Sequence, residues 1–159
     1  MSAAQHEQLY EVDFYAWTQA QAKELRRLAR TRPNVPLDLA HIAEEIRDLG
    51  KSEDEAAFSL TQRIIEHLLL IEHSRAIDQR LHWSDEIDDF RDRIDRKLSP
   101  SIRRRLKREL HDMFARASRR VRRKMERYGE MGAAASLPAK CPYTFEQVLG
   151  DWLPGDRSS

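Results

Sequence analysis

Apolar residues recur every three or four positions along most of the chain, the spacing that places them on one face of an α-helix. A first helix is predicted from Asp13, a favoured N-terminal cap, to about Arg30. Its apolar face is formed by Phe14, Trp17, Leu25 and Leu28.

Two more helices are predicted between Asp38 and Arg75. Asp38 is expected to cap the second helix, and Gly50 to end it in the position that favours glycine. Ser52, followed three residues later by a glutamate, has the pattern of a capping box that begins the third helix. The run IIEHLLLI is apolar around most of its circumference, which predicts a central position for this helix.

Ser84 is expected to precede a fourth helix whose first turns carry carboxylates, as the helix dipole favours. Ser99 and Pro100 combine a serine cap with a proline in the first helical position, and they begin the fifth helix. Its apolar stripe runs unbroken to Tyr128, and the helix stops at Gly129. At about 1.5 Å per residue it would be roughly 40 Å long.

The pattern contains no convincing strand, so the predicted class is all-α. We expect one domain over residues 1–159, with a bundle of about five helices at 10–129, a small-residue linker at 130–143 and a short packed helix at 144–153. The aromatic residues of this last segment either cover an open side of the bundle or dock on another protein, since exposed aromatic patches commonly mark interfaces.

Charge is distributed unevenly along a chain whose net charge is only +1. Residues 1–90 carry 10 basic and 18 acidic residues, whereas residues 91–127 carry 16 basic and 5 acidic residues. No apolar run is long enough to span a bilayer, so membrane insertion is not expected. The N-terminus lacks the pattern of a secretory signal. The single cysteine, Cys141, excludes an internal disulfide framework, and a cytoplasmic location is predicted.

Histidines and glutamates supply the candidates for a metal or acid/base site. On the second helix Glu44 points away from the core, whereas His41 and Glu45 share one flank as an i,i+4 pair. His67 lies beside the apolar face of the next helix, where it is expected to reach Glu45. A structural histidine–carboxylate contact and a metal site with His41, Glu45 and His67 as weak ligand candidates are both kept open. No nucleophile elbow or phosphate-binding glycine loop is present, and no cofactor is predicted.

Arginines dominate the fifth helix, in the runs RRRLKR and RRVRRK. A ridge of this kind suits a nucleic-acid backbone, although a solvated helix face is the alternative. The possible anion-binding residues are Arg104, Arg105, Arg108, Arg119, Arg122 and Arg123.

The chain resembles the bacterial family known as domain of unknown function 29 over about residues 10–154. The resemblance is carried by YEVDFYAWTQAQAKEL, LDLAHIAEEIRDLGKSE, HLLLIEHSRA, the dipeptide HW and CPYTFEQVLGDWLP. It implies a small all-helical protein and supplies no catalytic residues. The positions of this chain that match its motifs are Asp13, Trp17, Glu44, Glu45, Gly50, Ser52, His67, Cys141, Pro142 and Tyr143.

Three functional hypotheses follow from these patterns. The leading hypothesis is a non-enzymatic protein-interaction or adaptor module, with a second copy or another protein as its partner. The second is a nucleic-acid-binding protein that uses the arginines of residues 103–124. The third is a metal-dependent or acid/base enzyme built on Glu45, His41 and His67.

Overall fold

The computed structural model describes residues 1–155, and within that range it contains helices and no strands. Residues 156–159 of the predicted domain lie outside the described residues. A short 3-10 helix, Ile77–Gln79, precedes the fourth α-helix. The α-helices are α1 (Ala3–Val12), α2 (Phe14–Arg30), α3 (Leu39–His73), α4 (Arg80–Asp95), α5 (Pro100–Arg108), α6 (Leu110–Arg127), α7 (Met131–Ala135) and α8 (Phe145–Leu149). The predicted all-α class is confirmed.

The chain forms two compact units. Unit 1 consists of residues 1–57 and 97–104, and unit 2 contains the remaining described residues. Two of the three boundaries between the units fall inside α3 and α5, and the third falls between α4 and α5. The single domain expected from the sequence stays a prediction.

Three of the predicted helix caps are confirmed, and a fourth cap is observed at Thr144. Asp13, Asp38, Ser99 and Thr144 each accept a hydrogen bond from the backbone amide three residues further along, at 3.0, 3.2, 3.3 and 3.1 Å. These amides have no partner inside their own helix, so a side-chain oxygen satisfies a group that would otherwise be left free.

Gly50 does not end a helix, which corrects the sequence prediction, and Ser52 does not begin one. Both lie inside α3, a single helix of 35 residues. Glycine is needed at this position because α2 approaches closely: a Cβ atom on Gly50 would lie 1.9 Å from Oγ1 of Thr18. Gln19 of α2 also donates its side-chain amide to the carbonyl oxygen of Arg47, at 3.2 Å. The absence of a side chain therefore serves helix packing in unit 1 and not helix termination.

The fourth and fifth helices also differ from the prediction. α4 begins before Ser84, whose hydroxyl bonds to the carbonyl of Arg80 inside the helix instead of capping it. The single long arginine-rich helix is divided into α5 and α6 at Glu109, whose φ and ψ of −96° and 11° leave the helical range. Tyr128, expected at the end of the buried stripe, is 75% exposed.

Two further helices were not expected from the sequence. α1 begins at a capping box of Ser2 and Gln5, ten residues before the predicted start of helical structure. α7 lies inside the segment predicted to be a linker, and it buries Ala134. α1 and α2 meet at Asp13, whose amide donates to the carbonyl of Leu9 at 2.8 Å.

Asp13 is a buried carboxylate that serves two helices of unit 1. Besides capping α2, it accepts a hydrogen bond through Oδ2 from the amide of Ser101 in the first turn of α5, at 2.8 Å. Burial acts to raise the pKa of Asp13, but the hydrogen bonds from Ala16, Ser101 and Ser99 outweigh it and hold the pKa below its usual value. The carboxylate therefore remains ionised at neutral pH.

The core of unit 2 surrounds the second half of α3, which confirms its predicted apolar circumference. Ile64, Ile65, Leu68 and Leu69 are fully buried on successive sides of this helix. α4, α5, α6 and α8 contribute further fully buried side chains of unit 2, namely Ile87, Ile94, Leu106, Met113, Val121, Met125 and Val148.

The C-terminal segment of residues 143–153, called the aromatic tail below, packs on unit 2 of its own chain. Arg91 of α4 holds it: Nε donates to the carbonyl of Val148 at 3.1 Å, and Nη2 donates to those of Gln147 and Trp152 at 2.9 and 2.8 Å. The guanidinium thus satisfies carbonyl groups at and beyond the C-terminal end of α8. Phe145 and Val148 are buried by this packing.

Candidate functional site

The candidate residues at the start of α3 lie in unit 1 and do not form a common site. Nδ1 of His41 lies 2.5 Å from Oδ2 of Asp38, and both side chains are exposed. The hydrogen bond to Asp38 raises the pKa of His41, because the carboxylate favours the charged imidazole. Glu44 pairs with Arg47, and Glu45 is exposed. His41 is therefore partnered by the residue that caps its own helix and not by Glu45.

His67 lies near the opposite end of α3, in unit 2. Among residues 1–155, no group of three or more histidine, cysteine, aspartate or glutamate side chains has the arrangement of a metal site. His41 and Glu45 lie in unit 1 and His67 lies in unit 2, and the metal or acid/base site built on these residues stays a prediction.

His67 is paired instead with Glu86 of α4. Nε2 of His67 lies 2.5 Å from Oε2 of Glu86, and Nδ1 lies 2.8 Å from the carbonyl oxygen of Arg63. Since a carbonyl can only accept, Nδ1 carries a hydrogen, and since an ionised carboxylate can only accept, one more proton must lie between Nε2 and Glu86. The pair holds either an imidazolium with a carboxylate or a neutral imidazole with a carboxylic acid. In both forms its total charge is zero.

Other rings and charges surround this pair. The rings of His67 and Phe90 form an edge-to-face contact, with centroids 5.5 Å apart and planes at 86°. The guanidinium carbon of Arg63 lies 5.6 Å from the centroid of the same phenyl ring. Nε2 of His82, one helical turn before Glu86 in α4, lies 3.6 Å from Oε2 of that glutamate. A proton-carrying pair is therefore set between an aromatic ring and a second imidazole.

These side chains line a cleft of about 890 Å³ in unit 2, which is within the size range of small-molecule sites. Trp83 and Phe90 form buried parts of its lining, and Tyr128 is an exposed part. Unit 1 has a smaller cavity of about 360 Å³ beside Arg30 and Arg47, which contains no aromatic ring. The cleft of unit 2 is the better candidate because polar, titratable and aromatic groups converge there.

The carboxylates of the cleft already have partners. Glu66 accepts from Nη1 of Arg120 at 3.2 Å. Glu130 accepts from the hydroxyl of Ser74 and from the amide of Arg75, both at 3.1 Å. Glu86 shares the proton of the histidine pair. The lining therefore offers few free acceptors to a ligand.

Three cations of the lining are not neutralised in this way. Arg63, Arg75 and Lys124 all line the cleft, and none forms an ion pair with another residue in the described part of the chain. Their side chains are exposed at its surface. Among the described residues, the lining therefore has three cations without a carboxylate partner and one carboxylate, Glu130, without a cationic partner.

The arginines proposed to bind anions are mostly on the surface. Arg105 is the exception: its Nε lies 3.1 Å from Oε1 of Glu109, and its guanidinium carbon lies 5.3 Å from the centroid of Phe58. The exposed members of the set are Arg104, Arg108, Arg119, Arg122 and Arg123. Nothing in their geometry selects a nucleic acid, so that interpretation stays a prediction.

The remaining motif positions have structural contacts. The Cys141 thiol donates to the carbonyl of Tyr143 at 3.4 Å, and burial raises the pKa of the thiol. The Tyr143 hydroxyl donates to Oε2 of Glu72 at 2.8 Å. Pro142 is exposed, and Trp17 is half-buried in a cluster of aromatic rings in unit 1. None of these residues belongs to the lining of the cleft.

Sequence reasoning did not identify several residues of unit 2 as important. From the sequence, Glu86 is expected only as one of the carboxylates in the first turns of the fourth helix, Tyr128 is expected at the end of the buried stripe, and Arg91 is not singled out. One signal was present: His82 and Glu86 have the i,i+4 spacing that places two side chains on the same helix face. The contact between His67 and Glu86 joins two helices, so no local spacing in the sequence predicts it.

The described residues thus form an all-helical protein with a cleft of about 890 Å³ in unit 2. The family described as domain of unknown function DUF29 matches residues 9–153, and the chain belongs to that family. An α-helical protein of unknown function from Rhodospirillum rubrum has a similar crystal structure, with 29% sequence identity, a TM-score of 0.76 and coverage of 88% of each chain. No curated protein matches the chain significantly. No helix among the described residues is long and apolar enough to cross a membrane.

Proposed function

We propose that the protein is a binding protein whose ligand occupies the cleft of unit 2. The observation that carries this proposal is the neutral pair of His67 and Glu86, held beside aromatic rings in a cleft of about 890 Å³. A pocket of that size with a few fixed polar groups is the usual form of a small-molecule site. Nδ1 of His67 is fixed by a backbone carbonyl, so the orientation of the ring is set before a ligand arrives.

The test is a nuclear magnetic resonance screen of small-molecule fragments against the full chain. Fragments that bind are expected to shift the indole signal of Trp83, which lines the cleft. Gln79→Trp would place a large side chain at the cleft and is expected to abolish those shifts. Gln8→Trp changes an exposed glutamine of α1 and is the matched control. Fragment shifts that survive in Gln79→Trp, or that fall only outside unit 2, would contradict the proposal.

A protein partner, and with it an adaptor role, is the second candidate function. Glu130 links two segments of the chain by accepting hydrogen bonds from the hydroxyl of Ser74 and the amide of Arg75. Apolar side chains on both segments are exposed, and they support this candidate. The exposed fractions are 72% for Ile77, 73% for Leu81, 75% for Tyr128 and 60% for Met131. Apolar side chains exposed to this extent beside a cleft are typical of interaction surfaces.

Replacing two of these exposed side chains distinguishes binding of a protein partner from binding of a small molecule in the cleft. The double variant Ile77→Ser/Leu81→Ser is expected to lose a stoichiometric protein captured from native lysate, while fragment binding in the cleft remains. Leu37→Ser, at another exposed apolar position, is the matched control. Capture that is unaffected by the double variant would rule out this surface. A cytoplasmic location, which the single cysteine favours, belongs to the same proposal.

A further inference from the structure

The charges of the cleft lining differ in whether they have partners. Glu66 is paired with Arg120, and Glu86 shares a proton with His67. In contrast, Arg63 and Lys124 have no carboxylate partner among the described residues. A ligand that enters the cleft therefore meets three cations without a carboxylate partner, counting Arg75, and one carboxylate, Glu130, that accepts only from neutral donors among the described residues. This imbalance favours a negatively charged ligand.

The exposed ring of Tyr128 supplies the second feature. It lies one helical turn after Lys124, so the two side chains lie on the same face at the end of α6. The ring is 75% exposed although it belongs to the lining of the cleft. A large aromatic side chain beside a free ammonium group offers a planar ligand a stacking surface and a counter-charge together.

Arg63 presents a different kind of donor. Its guanidinium carbon is 5.6 Å from the centroid of Phe90, so the stem packs against a buried ring while the side chain stays exposed. A guanidinium can bind a planar carboxylate or a phosphate through two parallel hydrogen bonds. His67 is also in edge contact with Phe90, and it forms with Glu86 a pair that has no net charge.

We propose that the ligand of this cleft is an aromatic ring that carries an oxyanion, either a carboxylate or a phosphate, with the ring on Tyr128 and the oxyanion at Arg63 and Lys124. This inference rests on the proposed function, because it specifies the ligand of the same cleft. Its chemical basis is the coexistence of unpaired cations and an exposed aromatic surface in one site.

The experiment uses four probes of matched size: benzoate, phenyl phosphate, the neutral benzamide and the cationic benzylamine. Dissociation constants are measured for the full chain by the shift of the Trp83 indole signal. Benzoate and phenyl phosphate are expected to bind at least about tenfold more tightly than benzamide, since a charge-assisted hydrogen bond contributes that much. Whichever anion binds more tightly identifies the oxyanion. Benzylamine is expected to bind most weakly.

Variants assign the binding to the named residues. Lys124→Gln and Arg63→Gln are each expected to weaken the binding of the two anions about tenfold and to leave the affinity for benzamide unchanged. Tyr128→Ala is expected to weaken the binding of benzoate, phenyl phosphate and benzamide, because each would lose the ring on which it stacks. Arg122→Gln removes an exposed cation of the same helix that does not line the cleft, and it should change nothing.

The outcomes separate this inference from the proposed function. If benzamide or benzylamine binds in the cleft as tightly as the anions, the cleft is a binding site and the assignment of ligand class is wrong. If the anions bind but Arg122→Gln weakens them as much as Lys124→Gln does, they bind the general basic surface, and the inference is also wrong. If the fragment screen yields no ligand for the cleft at all, the proposed function itself fails.

Discussion

Each unit of the molecule contains one buried charge that bonds to the backbone at the end of a helix, and the two charges have opposite signs. In unit 1, the carboxylate of Asp13 accepts from amides at the N-terminal ends of α2 and α5. In unit 2, the guanidinium of Arg91 donates to carbonyls at and beyond the C-terminal end of α8. The two residues are 5% and 6% exposed.

The sign of each charge follows from the helix end that it meets. Amides without partners give the N-terminal end of a helix a partial positive charge, and carbonyls without partners give the C-terminal end a partial negative charge. Asp13 and Arg91 therefore replace the water that these groups would otherwise bind. The difference is that protonation can remove the charge of a carboxylate, whereas a guanidinium keeps its charge at any ordinary pH.

The largest effect is expected when the Arg91 contact is broken. Arg91→Met keeps the apolar stem but leaves three backbone carbonyls of the aromatic tail without their donor. A buried polar group that loses its partner costs about 1–3 kcal/mol, so the free energy of unfolding should fall by about 3–5 kcal/mol. Urea denaturation measures the loss, and limited proteolysis should show release of the tail.

Arg93→Met is the matched control for that prediction. Arg93 lies on the same helix but is half-exposed, and its ion pair with Asp89 at 3.8 Å joins residues four apart. Such a pair contributes at most about 0.5 kcal/mol. Equal losses in the two variants would show that the carbonyl contacts of Arg91 do not hold the tail.

Helix packing in unit 1 is expected to be the next most sensitive feature. Gly50→Ala would place a methyl group 1.9 Å from Oγ1 of Thr18 and 3.0 Å from its Cβ. Overpacking costs about 1–3 kcal/mol, so we expect a loss of about 2 kcal/mol in thermal or urea unfolding. Gly132→Ala is the control, since a Cβ there meets nothing within 4 Å. Adding Thr18→Ala to Gly50→Ala should recover part of the loss, and no recovery would argue against the close approach.

The same glycine shows how far the sequence predicts the fold. Caps such as Asp13, Asp38 and Ser99 were identified because they act within four residues, and the apolar circumference of IIEHLLLI was identified because it follows the helical period. Gly50 carries a local signal for a helix end, but its packing against Thr18 is a long-range contact. A tertiary contact can thus override a local signal that is correct in other sequences.

The candidate site was less predictable than the fold. His67 was recognised as a candidate, but its expected partner Glu45 lies at the other end of the same helix. Its actual partner, Glu86, is contributed by a helix whose start was misplaced. The aromatic tail was correctly expected to be too apolar to remain free, whereas Arg91, which holds it, has no spacing signal that relates it to the carbonyls it binds.

A smaller effect is expected when Asp13 is changed, and it should depend on pH. Asp13→Asn retains one acceptor oxygen for two amides, so it should cost about 1–2 kcal/mol at neutral pH. The hydrogen bonds hold the pKa of Asp13 below its usual value of 3.8, so its stabilising contribution is fully present above that value. The contribution is lost as the pH falls through the lower pKa of the folded state.

The pH dependence distinguishes the two buried charges directly. Unfolding free energies of the wild type and Asp13→Asn should differ at pH 7 and converge as the pH falls below about 4. The corresponding difference for Arg91→Met should not follow that titration, because the guanidinium stays charged. A difference for Asp13→Asn that is constant from pH 7 to pH 2 would contradict the ionised state of this carboxylate.

The smallest predicted effect concerns the second contact that fixes the aromatic tail. The Tyr143 hydroxyl donates to Glu72, and burial, reinforced by that carboxylate, raises the pKa of the phenol. Tyr143→Phe removes this one bond and should lower the free energy of unfolding by about 1 kcal/mol. The loss is less than for Arg91→Met because the carboxylate of Glu72 is partly exposed and can bind water instead. If Tyr143→Phe is as destabilising as Arg91→Met, the tail is held chiefly by Glu72 and the contrast between Asp13 and Arg91 no longer accounts for unit 2.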